Sequence, residues 1–369
     1  MQRTFTKQKK LISCALAAVA FSAPALAETG NVSVYGKINM DLESVKNDKI
    51  DVATNAKSVN RIQSNASRFG VKGSEDLGDG LAAIWQLEVQ VDPTGSSGGT
   101  PFNGTRNSNV GLKGNFGTVF IGNWDTPYKL AHNKLELFDN ATVFTATHLV
   151  GRTGANNAAN TAVTGVNFNT RQSQVVQYWS PKMGAFQGMI SYSPDSAETT
   201  TRDRTKLSLS GVYDDKVLYG ALAYEIRPDQ TTASVDDKAT RLIGAYKFGS
   251  GQIGLMYENL SVGTTAATSE SQRNWELSGS YKSGNSNIGA FYVKNGNLGA
   301  RANTGADMVS LRYGYDFSKR TEIYGAYTRL SNDASANYSA LGGAVGTVGA
   351  ATTLGTNQTG FGVGMIHNF

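Results

Sequence analysis

Val309-Ser310-Leu311-Arg312-Tyr313-Gly314-Tyr315-Asp316-Phe317 is the stretch that decides the fold. Every odd position is apolar or aromatic, and the even positions are Ser, Arg, Gly and Asp. Successive side chains of a β-strand point to opposite faces, so a period of two marks a strand with one apolar and one polar face. Trp275-Glu276-Leu277-Ser278-Gly279-Ser280-Tyr281-Lys282 repeats the pattern, and so does the segment from Lys206 to Tyr213, apart from Val212. A soluble sandwich alternates in the same way. The choice between the two rests on the connections, the strand ends and the N-terminus.

The connections alternate in length. Short turns fall at 75–80, 115–117, 181–184, 214–216, 249–251, 283–285 and 318–320. Longer polar stretches lie between them, roughly at 44–60, 92–105, 125–170, 194–204, 227–239, 261–272, 295–306 and 331–356. Seven short turns and eight long loops predict about 16 antiparallel strands, an even number with all the short turns at one end. The fold class is therefore all-β: a transmembrane antiparallel barrel wide enough to hold an aqueous channel. Aromatic residues stand near the strand ends, among them Tyr192, Tyr246, Phe248, Tyr257, Tyr281, Tyr313 and Tyr315, where interfacial girdles belong.

The N-terminus agrees. Arg3, Lys7, Lys9 and Lys10 precede an apolar run from Leu11 to Phe21, and Ala25-Leu26-Ala27 is a small-residue cleavage site. Residues 1–27 read as a secretory signal, and residues 28–369 as one barrel domain. The apolar run is too short to span a bilayer as a helix. Leu11-Ile12-Ser13-Cys14 resembles a lipoprotein site, but a cut there would leave almost no apolar region.

The chain has 34 basic and 29 acidic residues. The signal segment holds four of the basic ones and none of the acidic, so the exported chain is near +1. That gives no reason to expect a nucleic-acid partner. Cys14 is the single cysteine and leaves with the signal, so no disulfide is expected. No Cys/His cluster or calcium-loop spacing suggests a metal or other cofactor. The three histidines, His132, His148 and His367, adjoin no serine motif, and no enzyme is expected.

Ser67-Arg68-Phe69-Gly70-Val71-Lys72-Gly73-Ser74-Glu75-Asp76-Leu77-Gly78, followed by Gly80-Leu81-Ala82-Ala83-Ile84-Trp85-Gln86-Leu87-Glu88, closely resembles the second and third strands of the Gram-negative general porins, in their β-proteobacterial form. Val34-Tyr35-Gly36-Lys37, the block from Val110 to Val119 and the turn from Tyr315 to Thr321 resemble further parts of that family. The last strand, Phe361 to Phe369, resembles the terminal strand that the barrel-assembly machinery recognises, with Phe369 as its signal. The resemblance implies a homotrimer of 16-stranded barrels in the outer membrane, in contact with its lipid and lipopolysaccharide, with the third extracellular loop (125–170) folded inward. It implies a water-filled channel for small hydrophilic solutes and ions.

Alternation turns Tyr35, Lys37, Asn39 and Asp41 inward on the first strand, and Arg68 and Lys72 inward on the second. Lys37, Arg68, Arg106 and Arg171 match the basic cluster at the pore constriction of the resembled family, and Glu136 and Asp139 match the acids of its inward loop. A selectivity filter needs fixed charge across a narrow wet gap, and these residues would supply it. Lys129 and Lys134 in the same loop weaken the acidic side, which tips the expectation toward a mild anion preference. Arg61 has the wrong parity to join Arg68 unless a bulge intervenes. Asn107 and Asn109 look like poor lipid contacts and suggest a subunit interface. A channel specific for one solute remains the alternative, since loops could supply an aromatic ladder for sugars.

Overall fold

The computed structural model describes residues 31–49, 57–95, 101–154, 165–196, 199, 202–264, 268–341 and 354–369. The expected signal, residues 1–27, lies outside them.

Strands dominate. They are β1 (Asn31–Asn47), β2 (Ser58–Ser64), β3 (Arg68–Gly78), β4 (Leu81–Val91), β5 (Phe102–Thr105), β6 (Ser108–Gly114), β7 (Gly117–Asp125), β8 (Arg171–Trp179) and β9 (Phe186–Ser193). The second half adds β10 (Lys206–Asp214), β11 (Leu218–Arg227), β12 (Asp237–Phe248), β13 (Gly251–Gly263), β14 (Ser269–Ser283), β15 (Ser286–Asn295), β16 (Ala306–Asp316), β17 (Thr321–Asn332) and β18 (Gln358–Asn368). One short helix, α1 (Pro127–His132), and a 3-10 turn (Ala146–His148) lie in the long connection after β7.

Every pairing is antiparallel, and β1 pairs with β18 from Lys37↔Asn368 to Asn47↔Gln358, which closes the sheet. β2 and β3 both pair with β1, one above the other, and β5 and β6 both pair with β4. Eighteen segments among the described residues, two pairs of them end to end, make sixteen spans. Closure leaves no sheet edge to satisfy in lipid.

Burial is the inverse of a soluble sheet. On β14, Gln272, Asn274 and Glu276 are fully buried, while Trp275 and Leu277 are 40% and 45% exposed. Polar residues face the lumen and apolar ones face outward all round the barrel, with Val34, Leu87, Leu222, Leu255, Leu311 and Val363 all exposed. An apolar band of this extent requires a hydrocarbon surrounding.

The closure point explains one glycine. Gly36 and Phe369 exchange backbone hydrogen bonds of 2.9 and 3.1 Å. The Phe369 ring lies over Gly36, where a Cβ would sit 2.1 Å from it.

The interruption between β2 and β3 meets the condition set for Arg61, that a break in the alternation intervene. Asn65, Ala66 and Ser67 leave the ladder, Ala66 with φ of 50°. Ser67 Oγ accepts from the Asn39 N–H at 3.0 Å, and the Asn65 N–H donates to the Asn39 carbonyl at 2.8 Å. The extra residue shifts the alternation, so Arg61 and Arg68 both face the lumen. The break between β5 and β6 falls at Arg106 and Asn107. Asn107 turns inward, its side chain held by Arg171 and Asp125. Asn109 alternates with the exposed Val110 and pairs with Gln86. Neither asparagine faces outward, so neither marks a subunit interface.

The connection after β7 runs into the barrel. Pro127 starts α1, where its missing N–H is no loss, and Thr126 Oγ1 caps the helix by accepting from the Lys129 N–H at 3.2 Å. Phe138, Phe144, Leu149 and Phe168 then pack against lumen-facing Met256, Leu260, Phe291, Met308 and Leu330. Full burial of one such side chain is worth about 2 kcal/mol. A second inward segment was not foreseen. After β17, residues 333–341 turn into the lumen, burying Ala336, Tyr338 and Ala340, and the Tyr338 hydroxyl donates to Gln272 Oε1 at 3.0 Å.

Candidate functional site: a basic wall inside the barrel

The inward loop is tied to one side of the barrel. Glu258 on β13 is the central post. It accepts from the Tyr128 hydroxyl at 2.9 Å, the Gly151 N–H at 2.7 Å and the Asn274 amide at 2.9 Å, and pairs with Arg241 at 2.8 Å. Arg241 also donates to the Tyr128 carbonyl at 3.0 Å and stacks on its ring at 4.0 Å. Glu258 thus holds the loop at Tyr128 and again at Gly151. His132 meets Glu276 at 2.6 Å, Ser278 donates to the Leu135 carbonyl at 2.8 Å, and Asn295 donates to that of Leu149 at 3.0 Å. His148, buried in the loop against Thr142, is pushed down to about 3 by burial and by Arg152, so its imidazole is neutral.

The opposite side, β2 to β8, stays open. A cavity of about 700 Å³ lies between this wall and the loop, lined by Arg61, Arg68, Glu88, Arg106, Asp125 and Arg171 among others.

Asp139 sits at the loop tip. It and Asn140 have φ of 59° and 56°, a left-handed pair that turns the carboxylate toward the wall. Asp139 Oδ2 is 2.8 Å from both Lys37 Nζ and Arg68 Nη1. Burial opposes ionisation there, but the two cations outweigh it and hold the carboxyl below the usual aspartate range. The acid therefore touches the basic cluster and does not face it across a gap.

The chain of charge continues along the wall. Glu88 takes Arg106 at 2.7 Å, lies 3.8 Å from Arg68, and accepts from the Tyr35 hydroxyl at 3.0 Å. Asp125 is 2.8 Å from Lys129 and 3.3 Å from Arg171. Arg61 pairs with Glu43 at 2.5 Å.

Glu136 stands apart. Its carboxylate accepts from the Phe138 N–H and the Thr145 hydroxyl, both at 2.8 Å, and burial raises it above the usual glutamate range against the pull of His132. It lines the cavity from the loop side and does not reach Lys37 or Arg68. Lys134 is drawn away to Asp214 at 2.6 Å. Sequence reasoning passed over Glu88, although it alternates inward beside the exposed Leu87, and Asp125, whose outward parity is reset by the register shift between Gly122 and Trp124. It also had no signal for the Glu258–Arg241 post, whose loop partners Tyr128 and Gly151 are more than 100 residues away along the chain.

The residues 14–335 match the family model described as Gram-negative porin. Outer membrane porin protein 32 of Delftia acidovorans is 28% identical over 98% of this chain and 100% of its own. The major outer membrane protein P.IB of Neisseria lactamica is 26% identical over 85% of this chain and 90% of its own. Among solved structures, the anion-selective porin from Comamonas acidovorans superposes with a TM-score of 0.76 at 23% identity, covering 92% of this chain and all of that one. A trimer form of OmpT from Vibrio cholerae gives 0.63 at 18% identity over 93% of this chain. The barrel fold is the one these solved structures share, and the chain belongs to the Gram-negative porins, channels of the outer membrane.

Proposed function

We propose that this porin passes small hydrophilic solutes with a mild preference for anions, and that Lys37, Arg68, Arg106 and Arg171 set that preference. The observation that carries this reading is the charge ratio at the open wall. Six cationic side chains line the cavity against five carboxylates: Glu88, Asp92, Asp125, Glu136 and Asp139. Lys37 adds a further cation at Asp139. Glu136 is turned into its own loop, so the facing excess is small and positive. A small excess of fixed charge biases permeation without blocking the opposite ion. The anion-selective porin with the same fold supports the sign.

Three further parts belong to the proposal. The working unit is a homotrimer, as in the trimeric relative in fold. Residues 1–27 are removed on export, and Phe369 serves in assembly as well as in closure. The protein carries out no chemistry: His132, His148 and His367 are engaged with Glu276, Thr142 and Thr321.

Single-channel recording of the purified mature protein in a planar bilayer tests the reading. Conductance that closes in three equal steps is expected. Folded protein without conductance, or with single unlinked steps, would sink the open trimer.

A further inference from the structure

The polar-inside rule of the barrel fails at one place on the open wall. On β7, Phe120 alternates with the exposed Ile121, and on β8, Trp179 alternates with the exposed Tyr178, so both rings point into the lumen. Trp124 joins them. Phe120 stands 5.1 Å from Trp124 and 5.5 Å from Trp179, at interplanar angles of 61° and 87°. The two indoles are 6.1 Å apart at 68°. Phe120 is 2% exposed, and both tryptophans are half-buried. The inward loop packs its own rings on the far wall, and none of these three belongs to that core. Elsewhere the wet lumen takes polar side chains, as β14 does with Gln272, Asn274 and Glu276.

Neither indole N–H has a hydrogen-bond partner among the described residues. Hydrogen bonding therefore does not account for tryptophan at either position, and ring surface does. Edge-to-face packing leaves ring faces free to take a further ring. Charge beside the cluster selects what that ring carries. Trp124 is one residue from Asp125, and Asp125 lies opposite Arg171, with which it pairs at 3.3 Å. One residue along a strand is about 3.4 Å. A carboxylate attached directly to an aromatic ring spans that step, its charge beside Arg171 and its ring on Trp124. A neutral ring lacks the first contact, and a saturated acid lacks the second.

We propose that Phe120, Trp124 and Trp179 form a stacking site for aromatic carboxylates on the wall of the pore, with Arg171 taking the carboxylate. The site names a solute class for the anion-preferring channel and rests on that reading.

Single-channel recording of the purified mature protein in potassium chloride tests the site, with benzoate or cyclohexanecarboxylate added as a blocker. The two acids share their charge and carbon skeleton, and only benzoate has an aromatic face. Benzoate is expected to interrupt the current at about fivefold lower concentration, the worth of one aromatic pair. W124L/W179L is expected to bring the two acids level, and W124F/W179F, which keeps the rings, to retain most of the difference. Arg171→Gln is expected to weaken both acids and leave their ratio. In W85F/W275F protein, Trp124 and Trp179 are the remaining tryptophans. Benzoate is expected to shift their emission over the same concentration range, which reads the site without any current. Equal block by the two acids in wild type, an unchanged ratio in W124L/W179L or an unmoved emission would overturn the site. The reversal potential in the same recordings reports the channel reading separately: a cation sign with benzoate still favoured would sink the anion preference and support the site.

Discussion

Asp139 is the most informative single residue. It neutralises Lys37 and Arg68 from the loop side at 2.8 Å, so Asp139→Asn frees both cations while nearly preserving volume. The reversal potential under a salt gradient is expected to move further toward the anion value; no movement would show that these cations lie off the ion path. Alternation alone points Lys37 and Arg68 inward, and a resemblance adds Arg106, Arg171 and the loop acids. Arg61 joins them because one left-handed residue, Ala66, resets the period of two, the interruption on which its placement depended. Nothing in the local sequence Asn65-Ala66-Ser67 announces that break, since it is fixed by hydrogen bonds to Asn39 on another strand.

The loop is the element on which the pore's shape depends. Removing charge from Glu258 leaves Arg241 buried and unpaired, and breaking a buried pair by one partner costs about 3–5 kcal/mol. Glu258→Gln is expected to loosen the loop without opening the barrel. Limited proteolysis should then cut within 126–153 while the folded barrel keeps its compact migration on a gel; an uncut loop would refute the anchor.

His148 gives the loop a pH dependence. Its folded value is near 3, below the ordinary 6.5, so the released loop binds a proton that the docked loop does not. Docking is then fully supported above about pH 6.5 and weakens as the pH falls toward 3. Protection of the loop amides, taken relative to their intrinsic exchange rate, is expected to fall over that window in wild type and to lose this dependence in His148→Gln. Turn and loop lengths were legible in the sequence because they interrupt the alternation. The inward course of the loop was legible only through resemblance, because its anchors join residues such as His132 and Glu276 that are distant in the chain. The inward segment 333–341 left no such trace.

At the scale of the molecule, closure and orientation follow from period and connection length together. Sixteen spans came from counting turns, and the structure reaches that number although it divides two of the spans. The seam depends on Gly36, which gives its outward space to the Phe369 ring. Gly36→Val is expected to destabilise the closed barrel by about 1–3 kcal/mol, the usual range for overpacking. It should lower the heat-unfolding midpoint measured by gel mobility, while Gly244→Val, at an outward glycine with open space around it, should not.

The central claim is that a small excess of cations on one wall sets what this porin prefers to pass. The most direct measurement is the reversal potential of single channels under a tenfold salt gradient, for wild type and for K37Q/R68Q/R106Q/R171Q. A modest potential of anion sign in wild type, moving to the cation sign in the variant, is the expected result. A cation-signed wild type, or a variant that keeps the wild-type potential, would contradict the account.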